Sequence, residues 1–142
     1  MIPKELQEIV DDIKKHEGFK STVYKCTEGY DTIGYGFAVK DLVIDEDVAD
    51  LILMKKLHSL LQRICLSFDW FQHINPKAKG VVVNMCYQLG LSGFSKFKKT
   101  IYYLETEQYS EASSEMLDSL WAKQTPNRAK ELSEIIKSIS TD

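Results

Sequence analysis

His16-Glu17-Gly18-Phe19-Lys20, followed after three residues by Tyr24-Lys25-Cys26-Thr27-Glu28-Gly29-Tyr30-Asp31-Thr32-Ile33-Gly34-Tyr35-Gly36, is where the texture of this 142-residue chain changes. Before it, Leu6, Ile9, Val10 and Ile13 recur at helical spacing after Pro3, and Lys14, Lys15 and His16 supply the cations that a helix C-terminus favours. This pattern predicts an amphipathic helix over residues 3–16. Within the quoted stretch, aromatic and β-branched residues are punctuated by Gly29, Gly34 and Gly36, which predicts short strands at 23–25 and 30–35 about a turn. Glu17 falls at the junction, where one carboxyl can reach the mouth of a cleft.

Downstream, Asp45 offers an N-cap, and Val48, Leu51, Ile52, Leu57, Leu60, Leu61 and Ile64 mark a helix of about 20 residues, hence roughly 30 Å. After the aromatic stretch Asp69-Trp70-Phe71, the Asn75-Pro76 pair starts a helix with a stripe of Ala78, Val81, Val82, Met85, Cys86 and Leu89 that ends at Gly90. Further helices are expected around Ile101 and Leu104, from Ser110 past Trp121, and from Thr125-Pro126 through Ile136. The fold class is therefore α+β and mainly α, in one domain spanning residues 1–142. A small β lobe at about 18–43 and a helical lobe at about 1–17 plus 44–142 are joined by the long helix, with one continuous core.

A net charge of −3 offers no basic face for phosphates, so a nucleic-acid partner is not expected. Runs such as Lys96, Lys98 and Lys99 read as solvated helix faces. No apolar stretch approaches the roughly 18 residues that span a bilayer, so membrane insertion is not expected, and the charged first helix does not read as an export signal. Synthesis in the cytoplasm is expected, and the chain is expected to be a monomer. Cys26, Cys65 and Cys86 are odd in number and widely spaced, which argues against a disulfide scaffold or a metal centre. Cys65 and Cys86 lie on apolar helical faces, where cysteine acts as a small core residue.

The stretch from His16 to Gly36 resembles the active-site segment of the phage-type lysozymes. Asn84-Met85 with Gln88 and Gly90, and Trp121 with Gln124-Thr125-Pro126-Asn127-Arg128-Ala129-Lys130, are similar to the helical-lobe signatures of that family and stand in the same order. The resemblance covers most of residues 6–132, with a shortened segment between Phe37 and Asp45. It implies a cleft between the lobes and hydrolysis of the β-1,4 bond between N-acetylmuramic acid and N-acetylglucosamine in peptidoglycan glycan strands, without metal or cofactor. The implied place of action is the cell wall, reached after pore formation or lysis, as for an endolysin or a bacteriolytic, antimicrobial muramidase. By the same resemblance Glu17 is the general acid, Thr32 lies beside the attacking water, and Tyr87, Gln88, Thr100, Gln124 and Asn127 line the sugar site.

One position departs from the pattern. Nine residues after the glutamate the family places an aspartate, and here Cys26 stands there. Glycosidases of either stereochemical course normally use two carboxyl groups, so one is replaced by a thiol. With a reference pKa near 8.5, about 3% of a cysteine is thiolate at neutral pH, and a charged Glu17 nearby lowers that share, so reduced turnover is expected. Three roles stay open: Cys26 as base, Cys26 as a nucleophile forming a thioglycoside, or replacement by Glu28 or Asp31 as base. A protein of another class, one that binds peptidoglycan but has lost turnover, is the alternative. A Cys–His enzyme built on Cys26 and His16 lacks an acyl-transfer motif. Phe37 replaces a histidine that forms a structural ion pair in close relatives.

Overall fold

The computed structural model describes residues 3–139. Two compact units divide the chain, the first ending at Ala49 and the second beginning at Asp50, so the boundary falls in the first turn of a long helix.

In the first unit, helix α1 (Lys4–Glu17) ends where Gly18 takes φ 69° and donates its N–H to the Lys14 carbonyl at 2.9 Å. Only glycine adopts that backbone conformation without a Cβ penalty, so the helix stops with Glu17 as its last residue. Strands β1 (Lys20–Lys25), β2 (Asp31–Gly34) and β3 (Phe37–Ala38) form an antiparallel sheet in chain order. Tyr24 faces Thr32 and Lys25 faces Asp31 across β1 and β2, with an irregularity toward Lys20. β1 starts three residues earlier than the pattern suggested: Lys20 pairs with Gly34 across the sheet, and the strand runs on through an irregularity before Tyr24. The sequence places α1 with the helical residues, whereas the division at Ala49 groups it with the sheet. Contacts at its end give the reason: the Tyr35 ring lies 5.5 Å from the Phe19 ring, and the Lys14 ammonium sits 5.4 Å over the Tyr35 ring.

The second unit is built from helices. Asp45 precedes α2 (Glu46–Ser67) and accepts the Ala49 N–H at its carbonyl, 3.0 Å away. A 3-10 turn at Asp69–His73 leads to α3 (Pro76–Phe94), capped by the Asn75 side chain, which accepts the Lys77 N–H at 2.9 Å. The first helical run of α3 ends at Gly90, as the sequence suggests: that residue leaves helical geometry (φ 76°, ψ 158°), and a short second run resumes beyond this kink as far as Phe94. α4 (Lys98–Glu105) and α5 (Tyr109–Leu117) follow. The single helix expected from Ser110 past Trp121 is two, because Ser119 caps a new start at α6 (Leu120–Gln124). Its Oγ accepts the Ala122 N–H at 3.1 Å and donates to the Met116 carbonyl at 2.7 Å. α7 (Pro126–Ile139) closes the unit.

The core of these helices is fully buried at Ile64, Val82, Met85, Phe94, Leu104, Met116 and Ile136. Phe94 meets Phe68 edge-on at 5.8 Å and stacks on Phe97 at 6.3 Å. Cys86 belongs to this core, and burial pushes its thiol pKa up to about 12, so it is an apolar filler as its spacing suggested. Ser113 hydroxyl donates to the Ser133 carbonyl at 2.9 Å, which satisfies a buried group while tying α5 to α7. Among the described residues no helix is long and apolar enough to cross a membrane. Removing the central ring, Phe94→Ala, is expected to destabilise the helical unit by about 3–5 kcal/mol through lost burial and a residual cavity. Urea unfolding followed by the fluorescence of Trp70 and Trp121 measures it.

Candidate active site

The hairpin that joins β1 to β2 sets the surroundings of Cys26. Cys26 N–H donates to the Tyr30 carbonyl at 2.9 Å, and Gly29 N–H donates to the Cys26 carbonyl at 2.9 Å, so Thr27, Glu28 and Gly29 form a three-residue loop. Gly29 closes it at φ 87°, the left-handed conformation such loops require. The Cys26 thiol is thereby turned toward the backbone N–H groups of Tyr30 and Glu28. Donation from the residue two places ahead is the geometry in which an aspartate makes an Asx-turn. Sulfur occupies the place of that carboxylate as an acceptor.

Those contacts hold the Cys26 pKa below the ordinary thiol value: the Tyr30 N–H contributes most and the Glu28 N–H next, with a smaller part from the Thr32 hydroxyl. Desolvation and the Glu28 carboxylate act the other way and lose. The expectation that a neighbouring carboxylate would keep the thiol protonated is therefore corrected. Backbone donors outweigh the charge, and the opposing charge belongs to Glu28.

Thr32 sits on β2 and, at 4% exposure, is the single fully buried residue among the described residues of the first unit. Its hydroxyl donates to the Tyr30 carbonyl at 3.1 Å and also lies within reach of the Cys26 sulfur. One hydroxyl proton thus has two acceptors, and ionisation of Cys26 favours the sulfur. Asp31 is held by Lys25 at 2.7 Å across the strands, both side chains being exposed, and Glu28 projects from the exposed loop.

Glu17 is exposed at the end of α1, and its carboxylate lies over the turn between β2 and β3. A Cβ built on Gly36 would overlap the Glu17 Oε2 and stand 3.0 Å from Cδ. Gly36 also takes φ 76°, a backbone conformation that a side chain at this position would strain, and a Cβ there would displace the Glu17 carboxylate. Gly34, at φ 71°, is similarly bare because a Cβ there would meet the Phe37 ring at 2.7 Å. Phe37, in the place of the relatives' histidine, packs its ring edge-on against Tyr35 at 6.3 Å. Gly36 and Tyr35 are the residues that sequence reasoning quoted without assigning a role. A glycine spaced two residues from another was the signal available, but nothing in the sequence says which side chain fills the vacated space.

The remaining candidates lie in the second unit. Tyr87 is half-exposed on α3 and borders a cavity of about 510 Å³. Gln88 uses its amide oxygen to accept the Trp121 indole N–H at 2.8 Å. Thr100 and Gln124 line a second cavity of about 490 Å³ with Phe97 and Trp121, Thr100 almost completely buried and Gln124 exposed. Asn127 is exposed in the first turn of α7 and lines neither cavity. Its neighbour Arg128 donates from Nε to the Asn84 side-chain oxygen at 2.8 Å, joining α7 to α3. Among the described residues no three His, Cys, Asp or Glu side chains gather as ligands for a metal ion.

Comparison with known proteins matches residues 14–136 to the family described as phage lysozyme. Two curated proteins of Dictyostelium discoideum are similar over nearly their whole length. Probable T4-type lysozyme 1 is 26% identical over 159 residues, covering 91% of this chain and 93% of that protein. Probable T4-type lysozyme 2 is 28% identical over 149 residues, covering 84% and 87%. The pre-baseplate central spike protein of Enterobacteria phage T4 is 25% identical over 158 residues, covering 87% of this chain and 26% of that protein.

The donors around Cys26 predict selective chemistry. Iodoacetamide should modify Cys26 well before the buried Cys86, with half-maximal rate at a pH below that of an ordinary thiol, because the thiolate is the reacting species. Peptide mapping of the alkylated protein across a pH series checks this, and equal labelling of both cysteines contradicts it.

Proposed function

Because the chain belongs to the phage lysozyme family, which makes it a lysozyme-like glycoside hydrolase, we propose that it cleaves the β-1,4 bond between N-acetylmuramic acid and N-acetylglucosamine in peptidoglycan, with Glu17 as acid and the Cys26 thiolate as base. The observation that carries this reading is the set of donors on the Cys26 sulfur, which favour the charged form that a base must have.

Glu17, as a carboxylic acid, gives its proton to the bridging oxygen as the bond from that oxygen to the anomeric carbon breaks. A water attacks the anomeric carbon from the other face and passes its proton to the Cys26 sulfur. The Thr32 hydroxyl orients that water through its lone pairs while its own proton supports the thiolate. The step ends with Glu17 ionised and Cys26 protonated, and solvent exchange of one proton each restores both. Asp31 is engaged by Lys25, which favours Cys26 over Asp31 as the base. Tyr87, Thr100 and Gln124 serve the sugars of the helical unit, whereas Gln88 fixes the Trp121 indole and acts through it.

The alternative, a wall-binding protein without turnover, is separated by one comparison. Release of soluble muropeptides from purified walls should fall by about a hundredfold or more in Glu17→Gln, the scale of a lost general acid. Binding without release by the parent chain favours the alternative. Gly36→Ala should cost on the order of a hundredfold in release, since the added methyl displaces the Glu17 carboxylate and misplacement by about 1 Å is enough. Circular dichroism of that variant should remain that of the parent.

The pH dependence follows from the two roles. Activity requires Cys26 without its proton, so the lowered thiol pKa enlarges the active fraction at neutral pH and moves the optimum toward acid. Cys26→Asp should move the optimum further toward acid and raise release, because an aspartate ionises near pH 3.9. Alkylation of Cys26 should abolish release, and full activity of the alkylated enzyme eliminates the thiolate as base.

A further inference from the structure

The cavity beside Tyr87 has a charge character that the hydrolytic roles do not use. Lys55, Ser59 and Arg63 follow one another at four-residue intervals on α2 and line it together with Lys56, facing Tyr87 on α3. No carboxylate lines this space of about 510 Å³. None of the three cations has a salt-bridge partner among the described residues. Exposed Arg63 shares the cavity wall with Cys86, whose thiol pKa its positive charge lowers against the larger effect of burial. Three unneutralised cations around one opening, in a chain whose net charge is −3, make a local positive field against a negative whole.

We propose that this cavity binds oxyanions carried on the wall glycan, seating a carboxylate or a phosphodiester substituent between Lys55, Lys56 and Arg63 while the sugar that bears it lies against the Tyr87 ring. The chemistry fits the donors: a guanidinium presents a planar fork to a carboxylate or phosphate, and two ammonium groups and the Ser59 hydroxyl supply further N–H and O–H donors. An aromatic face next to cations suits a sugar with an anionic branch better than a free ion, which needs no flat apolar wall. The inference rests on the peptidoglycan reading for its ligand and adds a polyanion site to it.

Wall binding is measured by co-sedimentation with the full chain carrying Glu17→Gln, so that the walls stay intact. Adding Lys55→Gln, Lys56→Gln and Arg63→Gln should weaken binding by about tenfold at low salt, the product of about twofold from each of three solvent-exposed pairs, and should flatten its salt dependence. Lys79→Gln, Lys123→Gln and Lys130→Gln together remove the same charge from residues that do not line the cavity and should leave most of the affinity. Walls stripped of phosphodiester-linked polymers with hydrofluoric acid, and walls with amidated carboxylates, identify the source by which treatment removes the difference between parent and cavity variant. Equal binding by parent and cavity variant, equal loss in the control variant, or a difference that survives both wall treatments overturns the proposal. A chain with Glu17 intact that shows the cavity-dependent binding but releases no muropeptides overturns the hydrolase reading alone.

Discussion

The carboxylate of Glu17 lies over the bare backbone of Gly36, in space that any β-carbon at that position would fill. This close approach is possible because α1 stops on a left-handed glycine, Gly18, and because the turn between β2 and β3 carries a second one at Gly36. The rings of Phe19, Tyr35 and Phe37 and the ammonium of Lys14 hold the helix end against that turn. One helix end, one turn and one aromatic cluster thus bring the exposed Glu17 carboxylate over the turn between β2 and β3.

The sulfur at Cys26 is held through attraction. A three-residue hairpin loop aims two backbone N–H groups at the place where an aspartate would put its carboxylate, and the buried Thr32 hydroxyl adds a third donor. These donors are properties of the loop and do not depend on which acceptor occupies it. A thiol placed there has its pKa lowered by the same donors that would receive a carboxylate.

Charge is distributed unevenly at a larger scale. The chain is acidic overall, yet Lys55, Lys56 and Arg63 converge on one cavity without a neutralising carboxylate. Net charge governs long-range attraction to an anionic surface, whereas a local cluster governs contact once the surface is reached. A protein can thus be repelled weakly at a distance and held at short range, and the two properties evolve through different residues.

Much of this architecture was legible in the sequence because it rests on local codes. The helical stripe from Leu6 to Ile13, the Asn75-Pro76 start of α3 and the Thr125-Pro126 start of α7 are set by periodicity and capping, and the spacing from Glu17 through Cys26 to Thr32 carries the family resemblance. What the sequence could not disclose depends on groups distant along the chain. Gln88 reads as a sugar ligand and is engaged by Trp121, thirty-three residues away. The thiol of Cys26 reads as a poor base, since its reference pKa knows nothing of the N–H groups that the loop turns toward it. Sequence alone determined which residue types stand at which intervals. Only the tertiary structure decided which backbone donors, missing β-carbons and unpaired cations they meet, because those are matters of distance in space, and distance in space is set by packing.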